Sequence, residues 1–150
     1  MAPAERTLMR SSLVAALGLM LVASGAHASS LRVSPVGLTV NPGAATSSIR
    51  VWNNDKSPLG VQVRVFRSRI VDGEEWLEPT TNVVASPPIT KLAPGGENLV
   101  RIVRIAKTPV EEGERYRLLV DELPDPKRRK AGTINVLVRH SIPVRFESAQ

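Results

Sequence analysis

After about residue 30 the chain is built from short apolar runs separated by turn residues, and no amphipathic helical period extends beyond about two turns. The longest alternating run is Ile134 to Phe146. Its even positions, Ile134, Val136, Val138, His140, Ile142, Val144 and Phe146, are apolar but for one histidine, and its odd positions are Asn135, Leu137, Arg139, Ser141, Pro143 and Arg145. Period-two alternation of this length predicts one strand with one apolar face, roughly twice the usual strand length. That is more apolar strand than one small domain needs, which marks the strand itself as the candidate functional part.

The remaining runs predict further strands. Leu31 to Val40 is interrupted at Pro35, which suits an edge strand or a bulge. Asn41-Pro42-Gly43 turns the chain, and Ser47 to Asn53 sets Ile49, Val51 and Asn53 against Ser48, Arg50 and Trp52. Leu59 to Phe66 places Leu59, Val61, Val63 and Val65 on one face. Asp72-Gly73, between Ile70-Val71 and Trp76-Leu77, is a hairpin signal. Ser86-Pro87-Pro88 lacks two adjacent amide protons and is expected to mark a corner where the chain changes sheets. Asn98 to Ile105 and Arg115 to Leu123 are two more strands. The pattern reads as all-β, an immunoglobulin-like β-sandwich of about seven strands.

Residues 1–28 have the form of a secretory signal peptide: Arg6 and Arg10 at the head, an apolar run from Leu13 to Ala23, and Ala26-His27-Ala28 at the cleavage point. About a dozen apolar residues fall short of the ~20 needed to span a bilayer, so no stable membrane insertion is expected once the signal is removed. Loss of Glu5, Arg6 and Arg10 takes the formal charge from +6 to +5, and a mature chain from Ser29 to Gln150 is one domain's worth. The chain has no cysteine, so the core must hold without disulfides. A moderately basic chain admits acidic surfaces, nucleic acid or carboxylate ligands as partners. Export argues against nucleic acid, and Lys127-Arg128-Arg129-Lys130, between Pro126 and Gly132, reads as a solvated loop.

Enzymatic chemistry is poorly supplied. His140 is the single histidine after residue 28, so a cysteine–histidine pair and a multi-histidine metal site are both excluded, and a lone histidine on an apolar strand reads as a packing residue. Glu74-Glu75 and Glu111-Glu112 fall in predicted loops beside Gly73 and Gly113, and Gly95-Gly96 lacks the lysine and spacing of a phosphate loop. Arg101, Arg104, Arg117 and Arg139 interrupt apolar runs. They read either as solvent-face residues whose stems cover apolar surface or as guanidinium groups for bidentate capture of a carboxylate, such as the C-terminus of a bound chain.

Taken in order, VSPVGLTV (Val33 to Val40), VASPPITKLAPGG (Val84 to Gly96), LVRIVR (Leu99 to Arg104), YRLLVDELP (Tyr116 to Pro124) and VLVRHSIPV (Val136 to Val144) resemble the N-terminal domain of the periplasmic chaperones of pilus assembly. Spacing and order are most similar to the archaic branch of the chaperone–usher family. The resemblance covers essentially all of residues 29–150. It implies a periplasmic chaperone that binds and stabilises pilus or fimbrial subunits by lending them its last N-domain strand, for delivery to an outer-membrane usher, with no cofactor and no metal. Strand addition of this kind joins main-chain hydrogen bonds along an edge to pockets for alternate side chains, and it shields an unpaired edge from aggregation. By alignment with the family's donor segment, Ile134, Val136 and Val138 are the side chains offered to the subunit.

Two departures from the family pattern stand out. The better-known branch anchors the subunit's terminal carboxylate with a basic residue on the first strand and a lysine on the last, positions held here by Gly37 and Pro143. The resemblance to the archaic branch, which has proline there, implies Arg117 of the Tyr-Arg segment as the anchor, with Arg101 and Arg139 as alternates. The second departure is that the sequence stops four residues after Phe146, where a linker to the family's second sandwich domain would begin, so that domain is expected to be absent from this chain. The alternative reading is a secreted immunoglobulin-like structural module or a pilus subunit without chaperone activity.

Overall fold

The computed structural model describes residues 30–128, 131–132 and 134–149; the expected signal peptide at residues 1–28 lies outside the described residues, as do Arg129 and Lys130 of the basic loop. Ten strands form two facing sheets: β1 (Leu31–Ser34), β2 (Leu38–Val40), β3 (Thr46–Asn53), β4 (Leu59–Val71), β5 (Glu74–Pro79), β6 (Val83–Ser86), β7 (Ile89–Leu92), β8 (Glu97–Arg104), β9 (Arg115–Leu123) and β10 (Arg139–Phe146). One sheet has the order β1-β3-β8-β6. The other runs β2-β10-β9-β4-β5, with β7 paired to the first half of β4. Every described pairing is antiparallel except that of β2 with β10. The fold is the expected immunoglobulin-like sandwich, with β4 running on to Val71, past the predicted Leu59 to Phe66, and with ten strands where about seven were expected.

The prolines account for the difference. Pro35 splits Leu31 to Val40 into β1 and β2, which are edge strands of opposite sheets. Pro87 and Pro88 do the same between β6 and β7, the corner expected from the missing amide protons. Asp72 and Gly73 both have positive φ, 52° and 82°, the geometry of a type I′ hairpin turn between β4 and β5. Glu74 and Glu75, expected in a loop, belong to β5. That strand is exposed along its whole length, so it carries no apolar alternation by which to recognise it.

The core lies between the sheets and follows the alternation: Ile49 and Val51 of β3, Val61 and Val63 of β4, Val100 and Ile102 of β8, Leu118 and Val120 of β9, and Ile142, Val144 and Phe146 of β10 are buried. Phe146 meets Tyr116 edge to face, with ring centroids 5.8 Å apart. Beside them the Glu114 carboxylate, 1% exposed, receives Nε and Nη2 of Arg104 at 2.8 and 3.1 Å, the Tyr116 hydroxyl at 2.7 Å and the Glu111 backbone N–H at 3.0 Å. Burial works against its charge, but these donors prevail and bring its pKa down to about 2. Asn53 closes the other end, its amide nitrogen donating to the carbonyls of Ser57 and Ala93 at 2.8 and 3.1 Å.

The long alternating run requires a correction. It does not form one strand from Ile134 to Phe146: pairing begins at Arg139, and Ile134 to Val138 lie outside any strand. The alternation is sound, but pairing with β9 thins to the bond from the Glu122 N–H to the Val138 carbonyl, and Ile134 to Leu137 carry no strand pairing.

Candidate functional site

The run divides by what it touches. Ile142, Val144 and Phe146 pack into the core, and His140 reaches across the sandwich, its Nε2 3.1 Å from the Leu31 carbonyl oxygen of β1. Ile134 is 92% exposed, Val136 78% and Leu137 49%, with Val138 half-buried where its carbonyl accepts the Glu122 N–H at 2.9 Å. Asn135, Val136 and Leu137 border a shallow cleft of about 240 Å³ with Leu59, Gly60 and Leu123. The chain therefore presents large apolar side chains to solvent directly before a strand whose alternate residues fill the core.

The same strand has an open edge. β2 pairs with β10 only at Val144, Arg145 and Phe146, so among the described residues no strand covers the side of β10 away from β9 from Arg139 to Pro143. Backbone bonds join Glu122 to Val138 and Phe146 to Glu114, which fixes the even residues of β10 as the hydrogen-bonded partners of β9 and turns the amides of Arg139 and Ser141 toward that open side. Pro143 belongs to the outward-turned set. Its missing N–H therefore costs the β9 ladder nothing, and it sits one residue before the pairing with β2 starts.

On the outer face of this sheet Gly37, Pro143 and Arg117 come together. They line a cleft of about 550 Å³ whose wall also includes Thr39, Ser68, Ile70, Glu75, Arg115 and Arg145. Pro143 is directly opposite Arg117 across the ladder, and Phe66 of β4 is opposite it on the other side. Nε and Nη2 of Arg117 both donate to Oε1 of Glu75, the former at 3.2 Å, and the Ser68 hydroxyl donates to the same oxygen at 2.6 Å. The Ser68 bond, followed by Arg117, holds the Glu75 carboxyl below the ordinary range. This arrangement fastens one edge of the guanidinium, and among the described residues Nη1 has no bond.

The alternates lie elsewhere. Arg139, four residues along β10 from Pro143, and Arg64 both bind the buried Asp121 carboxylate, with Arg64 Nη2 at 2.7 Å from Oδ2. Arg101 is exposed on β8, in the opposite sheet. Arg104, grouped in the sequence with the solvent-face arginines, has a side chain only 7% exposed and is held by Glu114. Ser68, Arg115 and Arg145 were not singled out by sequence, and Glu75 was read only as a loop carboxylate. Glu75 and Arg117 are 42 residues apart, and only the β5–β4–β9 order makes them neighbours. Among the described residues no helix is long and apolar enough to cross a membrane, and no group of three or more metal-binding side chains occurs.

Comparison with known proteins bears on the whole domain. The family model described as "Pili and flagellar-assembly chaperone, PapD N-terminal domain" matches residues 30–147. Among solved structures, the CsuC–CsuE chaperone–tip adhesion subunit complex from the archaic chaperone-usher Csu pili of Acinetobacter baumannii is similar with a TM-score of 0.68 at 22% identity, over 80% of this chain and 52% of that one. A Salmonella enterica SafA pilin complex with the SafB chaperone gives 0.62 at 18% identity, over 79% and 54%. A chaperone–tip adhesin complex of CFA/I fimbriae biogenesis gives 0.67 at 14%, over 81% and 58%. The chain thus spans little more than half the length of the solved chains it matches, and identities at this level establish a shared fold. No curated protein matches the sequence.

Proposed function

The chain belongs to the family of pili and flagellar-assembly chaperones, through its PapD N-terminal domain, and from that membership we propose that it is a periplasmic chaperone for pilus subunits. It lends a subunit the strand that begins at Ile134, shields the subunit's open groove, and passes it to an outer-membrane usher. The observation that carries this reading is the pairing of an unpartnered edge on β10 with solvent-exposed Ile134 and Val136 immediately before it. Main-chain groups along the edge supply affinity, and the apolar side chains supply fit to the subunit groove. An exposed apolar segment on a free edge is an aggregation hazard unless a partner covers it.

Arg117 is the anchor this reading assigns to the subunit's terminal carboxylate. Its support is the cleft it shares with Gly37 and Pro143, the positions where the family's better-known branch has basic residues. A pilus subunit itself would lack one strand of its sandwich, whereas the two sheets here enclose a continuous core.

The test is co-expression with a pilin-like subunit from the same genome and co-purification from the periplasm. Val136→Asp is expected to abolish capture while leaving the thermal midpoint unchanged, because Val136 contacts solvent rather than the core. Unfolding of the variant, or undiminished capture, defeats the donor assignment.

A further inference from the structure

Arg115 and Arg145 face each other across the β9–β10 ladder. They form one of the pairs without backbone hydrogen bonds, in which opposed side chains approach most closely. Both are exposed, and neither has an ion pair or side-chain hydrogen bond among the described residues. On the adjoining surface both arginines lie beside Glu112 and Glu147, with no ion pair to either among the described residues. Like charges directly opposite on one sheet face oppose folding. Two guanidinium groups in that relation add no stability of their own.

The pair shares a cleft with Arg117. Its charged lining is three arginines against the single carboxylate of Glu75. Glu75 bonds Arg117 and cancels much of its field, so Arg117 alone offers an anion directional donors but little net attraction. Arg115 and Arg145 leave the cleft cationic. We propose that the facing Arg115–Arg145 pair is the second half of the carboxylate site: it draws in and holds the charge of a chain-terminal carboxylate, while Arg117, oriented by Glu75 and Ser68, supplies the directional hydrogen bonds. This rests on the reading of Arg117 as the anchor, and names two binding residues beyond it.

The probes are N-acetyl tripeptides with a free C-terminal carboxylate and the same peptides amidated, titrated into the purified chain while the arginine Nε–H signals are followed by NMR. The free acid shifts the signals of Arg115, Arg117 and Arg145, and the amide does not. Arg145→Gln and Arg115→Gln each weaken free-acid binding roughly threefold to tenfold, the range of a charge-assisted contact. Their thermal midpoints hold or rise, because a repulsion has been removed. Free-acid binding that is unchanged in both variants but lost in Arg117→Ala overturns the pair and leaves the anchor standing. Free-acid binding undiminished in Arg117→Ala overturns the anchor reading, and the proposal with it. Weaker binding accompanied by a falling midpoint also counts against the pair, since it traces the loss to the fold.

Discussion

Pro143 stands directly opposite Arg117 in the β9–β10 ladder, and Gly37 lies on the same cleft, near enough that a Cβ built on it would be 3.8 Å from Pro143 Cγ. That contact is ordinary, so a Cβ at Gly37 fits beside Pro143 on the cleft that Arg117 lines. Arg117→Ala is expected to weaken subunit capture about tenfold to a hundredfold, as for a lost charged hydrogen bond. Adding Gly37→Arg and Pro143→Lys to that variant should restore capture by supplying two new cations to the cleft. The measurement is subunit retained per chaperone in co-purification; a triple variant as weak as Arg117→Ala alone would show that the carboxylate binds elsewhere.

A second expectation separates the two halves of the alternating run. Ile142 is buried and Val136 is not, although both are even positions of one pattern. Ile142→Ala should lower stability by about 2–5 kcal/mol in urea denaturation, the cost of a cavity in a packed core. Val136→Ala should stay within about 0.5 kcal/mol of the parent. Equal losses would mean that Val136 packs on its own domain.

That contrast also shows what the sequence could and could not convey. Period-two alternation assigns a side chain to a face, and it did so correctly for Ile49, Val51, Val61, Val63, Ile142 and Val144. It does not say what covers the face, which is why one pattern was read as one strand across Ile134 to Phe146. Pro87 and Pro88 marked the change of sheet between β6 and β7, and Pro35 the break between β1 and β2, because a missing donor acts locally. Glu75 could not be found this way: β5 is exposed throughout, and the Glu75–Arg117 bond exists only because β4 lies between their strands in the sheet. Arg104 looked like a solvent-face arginine because the acid that encloses it, Glu114, comes from the turn before β9.

Glu114 makes stability depend on acid. Its folded pKa of about 2 lies below the unfolded carboxylate value, so its contribution is fully present above the unfolded pKa and is lost as pH falls toward 2. A depression of this size corresponds to something on the order of 3 kcal/mol. Asp121 and Glu75 are depressed too and add in the same direction. Urea midpoints between pH 6 and pH 2.5 should fall steeply for the parent and more shallowly for Glu114→Gln, which starts lower at neutral pH because Arg104 loses its buried partner. Parallel pH profiles would show that the acid sensitivity arises elsewhere.

Asp121 fastens the root of the exposed segment. It is paired with Arg139, the first residue of β10, and accepts a bond from Arg139 and another from Arg64 of β4, so one carboxylate ties three strands together where Ile134 to Val138 leave the sheet. Burial raises its pKa, but the Arg139 and Arg64 bonds outweigh that and hold the carboxyl low. Asp121→Ala should cost about 1–3 kcal/mol, since the half-enclosed Arg64 loses its acceptor. It should also speed amide exchange at His140, whose N–H belongs to the hydrogen-bonded set of the ladder. Arg139→Ala removes only the exposed partner and should leave both stability and capture near the parent. Loss of capture in Arg139→Ala with stability intact would instead transfer the carboxylate anchor from Arg117 to Arg139, and hydrogen exchange together with co-purification on the same two variants distinguishes these outcomes.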